Sequence, residues 1–138
     1  MEKYNLTHDI TVFGRQVKTF PSGIGEAFDE LIKKTGDQAG ARDYYGISEF
    51  KDGKMIYYAA AEEKTDDEAG KYNYEKLKIE KGEYLTGTII DWQKKTECIK
   101  DVFYEIIQAS GVNKTKPAIE WYKNENEMLC LVKMNDNF

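Results

Sequence analysis

The chain has 138 residues, of which 41% are hydrophobic and 33% charged, and its net charge is −5. This length supports one hydrophobic core and is short for two ordinary domains. The acidic balance disfavours a surface that binds the phosphates of nucleic acids or of anionic lipids. No segment has the apolar length needed to span a bilayer and the N-terminal residues do not resemble a signal peptide, so we expect a cytoplasmic protein.

The sequence offers little for metal, disulfide or triad chemistry. His8 is the only histidine, and Cys98 and Cys130 lie within apolar patterns, where a thiol usually packs as a small hydrophobic group. We therefore expect no metal site and no cofactor. Aromatic residues make up 13% of the chain, more than a core of this size needs, which indicates an aromatic-lined pocket.

The first half of the chain has the pattern strand, helix, strand, strand. β-branched and aromatic residues from about 8 to 19 predict a strand, which Pro21 and Ser22 end. Ser22 can cap a helix that Gly36 closes, and strands at about 43–50 and 55–61 are joined by an Asp-Gly hairpin turn. The helix is predicted from five apolar residues at helical spacing, which are Ile24, Ala27, Phe28, Leu31 and Ile32.

The second half repeats this pattern. The acid-rich stretch 62–73 is expected to be a solvated, mobile connection, followed by strands at about 74–79 and 84–90. A helix follows, which Asp91 or Thr96 can cap and Gly111 can end, and strands then start at Pro117 and Met128. Its apolar face is formed by Ile99, Val102, Phe103, Ile106 and Ile107.

A shift of about 72 residues superimposes the two patterns, which indicates an internal repeat. We expect one domain over 1–138, built from half-repeats at about 8–61 and 74–134. Each half would have a bare sheet edge, so pairing about a pseudo-twofold axis would merge them into one antiparallel sheet. The predicted fold is therefore α+β, with duplicated β-α-β-β units, two helices on one face of the sheet and a ligand cleft between the halves.

Glu120 is the unusual residue of the strand that begins after Pro117. A carboxylate among apolar and aromatic residues lies either on an exposed face or in a cavity where it has a function. Strand alternation puts Tyr122 on the same face as Glu120 and Trp121 on the opposite face, which we expect to lie under the helices. The other candidates for the cleft are Tyr84, Trp92 and one of Tyr57 and Tyr58, of which Tyr58 is preferred.

Five segments are distinctive, namely 28–34, Tyr45-Gly46-Ile47-Ser48, 55–61, Lys81-Gly82-Glu83-Tyr84 and Pro117-Ala118-Ile119-Glu120-Trp121-Tyr122. They resemble segments of the GyrI-like small-molecule-binding domain, which is also the effector-binding domain of bacterial transcription regulators of the AraC and MerR groups. The resemblance implies two β-α-β-β units with a ligand cleft between them, and a central glutamate that faces bulky, often cationic or aromatic compounds. The motif match assigns that role to Glu120, with Tyr122 beside it.

The regulators carry a separate DNA-binding region, for which this sequence has neither the length nor a basic recognition helix. We therefore expect a small-molecule binder that senses or sequesters compounds, with a separate regulator protein as a further candidate partner. One alternative is a hydrolase of strained electrophilic compounds, with Glu120 as general base and Tyr122 or Tyr84 as proton donor. A second alternative is a protein-interaction module that inhibits a larger enzyme through the acidic residues 62–68.

Overall fold

The structure is a computed structural model and describes residues 1–36 and 42–135. In this part of the chain, eight strands form one antiparallel sheet, accompanied by three α-helices and a 3-10 turn at Trp92–Lys94. The strands are β1 (Glu2–Leu6), β2 (Ile10–Gln16), β3 (Tyr44–Lys51), β4 (Lys54–Glu62), β5 (Glu75–Ile79), β6 (Gly82–Ile90), β7 (Ala118–Tyr122) and β8 (Glu127–Lys133). The helices are α1 (Ile24–Thr35), α2 (Glu68–Tyr72) and α3 (Thr96–Gln108).

Both long helices pack on the same face of the sheet, as expected for the predicted fold class. The apolar side of α1 buries Ala27 and Leu31 in a cluster that includes Phe13 of β2. The apolar side of α3 buries Ile106 against β6 and β8, where it meets Met128. The helical spacing of apolar residues thus identified two genuine amphipathic helices.

The helix ends agree with the predictions only in part. Gly36 closes α1 in the left-handed conformation, and its N–H donates to the carbonyl of Ile32 at 3.1 Å. Ser22 does not cap α1, since Gly23 occupies that position and no side chain caps the helix. Neither Asp91 nor Thr96 caps α3, since Lys95 occupies the N-cap position and no side chain caps the helix. The helix ends at Gln108, before Gly111.

The strand order is β1-β6-β8-β7-β3-β4-β2-β5. The central strands β3 and β7 pair antiparallel with Ile47 opposite Ile119. Each edge strand pairs with a strand of the other half of the chain, since β1 lies beside β6 and β5 lies beside β2. The repeating unit is therefore β-β-α-β-β, with the first strand of each unit added to the other unit's sheet edge.

The strand β1 was not predicted. Its sequence, Glu2-Lys3-Tyr4-Asn5-Leu6, alternates polar and apolar residues, and charged side chains are typical of an edge strand that must not pair with another molecule. The strand predicted at about 8–19 is shorter in the structure, where β2 covers only Ile10–Gln16. The sequence gives no clear strand signal here, because β1 is short and has few β-branched or aromatic residues.

The β3–β4 hairpin has the predicted two-residue turn. Asp52 and Gly53 both have positive φ, at 53° and 77°, which is the geometry of a type I′ turn. This turn sets the register that places Tyr57 opposite Ser48 and Tyr58 opposite Ile47. Because residues directly opposite share a face, the turn determines which of the two tyrosines faces the helices.

The helix-free face carries a second apolar cluster. Trp121 packs there against Tyr4 and Tyr45, with ring centroids at 5.7 and 6.3 Å, and its indole N–H donates to Asp43 Oδ2 at 3.1 Å. Trp121 is opposite Glu120, as alternation requires, but the expectation that it lies under the helices is wrong. The helices cover the face of Glu120 instead.

The acid-rich connection contains α2 and a buried ion pair. Arg42 and Glu68 are both nearly inaccessible, and they pair through Nη1 to Oε1 at 3.1 Å and Nη2 to Oε2 at 3.0 Å. Burial acts to raise the pKa of Glu68, but hydrogen bonds from Arg42 and from the N–H groups of Lys64 and Thr65 outweigh it and hold that pKa at about 2. The expectation of a wholly solvated connection is therefore wrong at Glu68.

No helix among the described residues is long and apolar enough to cross a membrane.

Candidate functional site

A cleft of about 1220 Å³ opens between α1 and α3, above the paired central strands β3 and β7. Ser48, Ala118 and Glu120 form part of its floor, and the helices form its walls. The apolar and aromatic residues that line it include Phe20, Ile24, Phe28, Ile32, Met55, Trp92, Ile99, Phe103, Tyr104, Ile107 and Tyr122. The cleft lies between the two halves, where the repeat predicts it.

Glu120 is held in the floor by two tyrosines. The hydroxyl of Tyr57 donates to Glu120 Oε1 at 2.6 Å, and the hydroxyl of Tyr122 donates to the same oxygen at 2.8 Å. Tyr57 is only 1% exposed, and its ring stacks on Phe20 with centroids 5.0 Å apart. Two charge-assisted hydrogen bonds to one oxygen fix the position of the carboxylate.

The second carboxylate oxygen of Glu120 has no hydrogen-bond donor among the described residues. Within the described residues, both hydrogen bonds of Glu120 end on Oε1, and Oε2 is not among the buried atoms without a partner. Glu120 keeps some accessible surface and lines the cleft. One oxygen of the carboxylate therefore accepts two hydrogen bonds from the protein, and the other accepts none from the described residues.

Burial raises the pKa of Glu120, while the hydrogen bonds from Tyr57 and Tyr122 act in the opposite direction without cancelling it. The pKa of Tyr57 is raised by burial and by the neighbouring Glu120, and the pKa of Tyr122 is raised for the same reasons. Both phenols remain hydrogen-bond donors at neutral pH. The carboxylate is costly to ionise, and an arriving cation would offset that cost.

Gly46 makes room for this arrangement. It lies directly opposite Glu120 in the β3–β7 register, and a Cβ atom there would overlap both Tyr57 Oη and Glu120 Oε1. On its other side, Glu120 lies opposite Cys130, a fully buried thiol. Burial, together with the neighbouring Glu120, raises the pKa of Cys130 to about 12. Gly46 and Cys130 are thus the small neighbours that let a carboxylate and two phenols meet.

Aromatic rings surround Tyr122 on two sides. Its ring centroid is 4.8 Å from that of Trp92 and 5.5 Å from that of Phe28 on α1. The indole N–H of Trp92 donates to the carbonyl of Asn124 at 3.0 Å, which joins the 3-10 turn to the β7–β8 turn. The wall beside Glu120 is therefore built from three separate elements of the chain.

The structure brings together three of the five predicted site residues. Glu120, Tyr122 and Trp92 line one cleft, whereas Tyr58 and Tyr84 lie on the helix-free face. Tyr84 donates to the carbonyl of Glu80 at 2.6 Å and lines a separate cavity of about 160 Å³. The expectation that Tyr58 and Tyr84 lie near Glu120 is not met, because the strand register turns both side chains to the other face.

Tyr57 occupies the position for which Tyr58 was preferred. Alternation shows that only one of the two can face the cleft, but the choice depends on which face the helices cover. Phe20, Phe28 and Gly46 were also not predicted from the sequence as residues of the cleft. A glycine inside a predicted strand is a signal of close approach by another group, and it could have identified Gly46.

The raised pKa of Glu120 predicts how stability depends on pH. The folded protein disfavours ionisation relative to the ordinary value of 4.5, so the advantage of wild type over Glu120→Gln is greatest below pH 4.5 and is lost as pH rises through the folded pKa. In that window the difference should fall by about 1.4 kcal/mol per pH unit. Urea unfolding of both proteins from pH 4 to 8 measures it, and a difference independent of pH would contradict the prediction.

Four solved structures share this fold at low sequence identity. An integron cassette protein from Vibrio cholerae, from the mobile metagenome, matches at TM-score 0.71 and 13% identity, over 97% of this chain and 95% of that one. The structure of SAV2435 bound to tetraphenylphosphonium matches at TM-score 0.71 and 16% identity, over 99% and 96%. Both alignments span nearly the whole of each chain.

A protein from Staphylococcus aureus MU50, described provisionally as a bacterial transcription regulation protein, matches at TM-score 0.56 and 20% identity, over 96% of this chain and 97% of that one. A hydrolase from Listeria innocua matches at TM-score 0.58 and 9% identity, over 97% and 90%. No protein-family model and no curated protein matches the sequence. These matches show that the chain shares the fold of these structures over nearly its full length.

Proposed function

We propose that the protein binds bulky aromatic cations in the cleft between α1 and α3, with Glu120 as the residue that recognises positive charge. The observation that carries the proposal is the carboxylate in the floor of an aromatic cleft, with Oε1 held by Tyr57 and Tyr122 and no protein donor on Oε2 among the described residues. SAV2435, which has the same fold, was solved with a bulky cation of this class.

The electrostatics favour a delocalised cation over a small one. Removing Glu120 from water raises its pKa, so a ligand that restores the charge of the carboxylate gains binding energy. A large aromatic cation loses little hydration energy and can lie against Phe28, Tyr122 and Trp92, where each favourable cation–π contact contributes about 0.5–2 kcal/mol. A small, strongly hydrated ion would have to give up its water without filling the cleft.

The test uses two ions of the same shape and opposite charge, tetraphenylphosphonium and tetraphenylborate. We expect wild type to bind the cation at least tenfold more tightly than the anion, and Glu120→Gln to lose at least tenfold in affinity for the cation, which is about 1.4 kcal/mol. Calorimetry measures both affinities. Quenching of Trp92 fluorescence is a second readout, which Trp121→Phe should preserve because Trp121 lies on the other face.

Glu75→Gln is the matched control. Glu75 is an exposed carboxylate on the edge strand β5, so the same chemical change there alters the net charge equally but leaves the cleft intact. Equal affinities of Glu120→Gln and Glu75→Gln for tetraphenylphosphonium would refute the role of Glu120. Equal binding of the two ions by wild type would refute charge recognition altogether.

Hydrolysis of a strained electrophile is a second candidate function, which the elevated pKa of Glu120 and the fold shared with a hydrolase favour. Glu120 would then act as general base and a tyrosine hydroxyl as proton donor. Both Tyr57 and Tyr122 direct their hydroxyl protons to Glu120 Oε1, so one of them would have to turn toward the substrate. Incubation with an epoxide or a cyclopropane compound separates the functions, since a binder returns the compound unchanged.

The binding function fits a protein that senses or sequesters compounds in the cytoplasm and passes a signal through a separate regulator protein, without contacting DNA. The inhibitor-module alternative is less well supported. Of its acidic residues, Glu68 is buried in the pair with Arg42 and presents no charge to a partner.

A further inference from the structure

The two halves of the cleft are related by a sequence offset that the strand pairing confirms. The helix α1 begins at Ile24 and α3 begins at Thr96, 72 residues later. The same offset relates Ile47 to Ile119, and these two residues lie directly opposite each other where β3 meets β7. Because equivalent residues of the two halves pair with each other, a pseudo-twofold axis passes through the floor of the cleft at this point.

The offset gives Glu120 and some of the residues around it a counterpart on the other side of the axis. The counterpart of Glu120 is Ser48, and both line the cleft. They are diagonal neighbours across β3 and β7, since Glu120 pairs with Gly46 and Ser48 pairs with Ala118. Their Cβ atoms are therefore about 7–8 Å apart.

The cleft thus has two lobes, one around Glu120 and one around Ser48. Their backbones are related by the pseudo-twofold axis, but their side chains differ. The aromatic wall residue Trp92 corresponds to Phe20, which also lines the cleft. Phe28 of α1, which contacts Tyr122, corresponds to Lys100 of α3, which lines the cleft as well. The lobe of Ser48 therefore has a hydroxyl where the other has a carboxylate, and a cationic side chain where the other has an aromatic ring.

We propose that the lobe around Ser48 is a second ligand subsite, which accepts an uncharged group of a ligand whose cationic group lies at Glu120. This inference rests on the proposed function and adds to it a shape and a charge pattern. The preferred ligand is elongated and carries a positive charge at only one end.

The size and composition of the cleft support this arrangement. Its volume of about 1220 Å³ exceeds the roughly 300–1,000 Å³ typical of a site for one drug-sized ligand. Phe20, Pro21 and Met55 add apolar surface to the cleft. A second cation there would meet Lys100 and would have no carboxylate like Glu120 to offset its desolvation. A neutral acceptor can instead accept a hydrogen bond from the Ser48 hydroxyl.

Three phosphonium compounds test the subsite. Methyltriphenylphosphonium occupies the Glu120 lobe alone. Adding a butyl linker that ends in diphenylphosphine oxide extends it with a neutral acceptor, and butane-1,4-bis(triphenylphosphonium) extends it with a second cation. We expect wild type to bind the neutral extension at least tenfold more tightly than the methyl compound, and the bis-cation less tightly than the neutral extension.

Two substitutions of Ser48 locate the effect. Ser48→Met should fill the lobe and remove the gain from the neutral extension. Ser48→Glu should reproduce the carboxylate of the other lobe and raise affinity for the bis-cation at least tenfold. Ser110→Glu, an exposed serine after α3, controls for net charge and should leave the order of affinities unchanged.

The outcomes separate this inference from the proposed function. If methyltriphenylphosphonium binds through Glu120 but the neutral extension adds less than threefold, or if Ser48→Met leaves the gain intact, the second subsite is refuted and cation binding stands. If methyltriphenylphosphonium does not bind to wild type while the protein is folded by circular dichroism, the proposed function fails and the subsite fails with it.

Discussion

Replacing Glu68 by glutamine is expected to destabilise the fold by about 3–5 kcal/mol, because it removes the carboxylate that pairs with the buried guanidinium of Arg42. Both side chains are only 5% exposed, so water cannot take over the role of the carboxylate. The carbonyl oxygen of the glutamine can accept a hydrogen bond from Arg42, but the side chain brings no charge. Its NH2 group replaces an oxygen that accepted hydrogen bonds, so two donors would then face each other. The N–H groups of Lys64 and Thr65, which donate to Glu68 Oε1, lose a charged acceptor as well.

Chemical denaturation at pH 7 measures this loss. Asp66→Asn is the matched control, since Asp66 is an exposed carboxylate in the same connection, and we expect its effect to stay within about 0.5 kcal/mol. Arg42→Met combined with Glu68→Leu removes both charges and should recover part of the stability. A loss for Glu68→Gln no larger than that for Asp66→Asn would show that the ion pair does not hold the connection.

The same pair makes stability sensitive to acid. The pKa of Glu68 is lowered to about 2 from an ordinary value of 4.5, so its contribution is complete above pH 4.5 and is lost as pH falls from there toward 2. This part of the acid dependence should be absent from Glu68→Gln. Its direction is opposite to that of Glu120, whose contribution falls with rising pH.

Gly46→Ala should damage both stability and binding. The added methyl group would overlap Tyr57 Oη and Glu120 Oε1, and the fully buried ring of Tyr57 has no free space to move into. We expect a loss of about 1–3 kcal/mol, as for other overpacked sites. The carboxylate must also leave its position between the tyrosines, so affinity for tetraphenylphosphonium should fall at least tenfold.

Gly25→Ala is the control for stability. Gly25 lies in α1, and a Cβ atom there would have nothing within 4 Å, so alanine should be neutral or should stabilise the helix by up to about 1 kcal/mol. Differential scanning calorimetry of the two variants compares the same chemical change in a filled and an open site. Wild-type stability and affinity in Gly46→Ala would show that the Tyr57–Glu120–Tyr122 arrangement is not as tightly packed as described.

The sequence predicted most of the elements because their signals are local. The apolar spacing from Ile24 to Leu31 depends only on the period of a helix. The hairpin at Asp52 and Gly53 depends only on which residues tolerate positive φ. By contrast, the buried pair of Arg42 and Glu68 could not be predicted, because its partners are distant in sequence and a charged residue in a polar stretch looks solvated.

By itself the sequence identified the duplicated order of elements and the two helices, and it made Glu120 and Tyr122 candidates for the cleft. Repeats, helical spacing and an isolated acid in an apolar strand are all visible along the chain. Tertiary structure decided which faces meet. The register of β3, β4 and β7 brings Tyr57 and Gly46 to Glu120 and turns Tyr58, Tyr84 and Trp121 to the other side. The physical reason is that a strand presents its two faces equally in sequence, and only pairing and the placement of the helices assign one of them to the cleft.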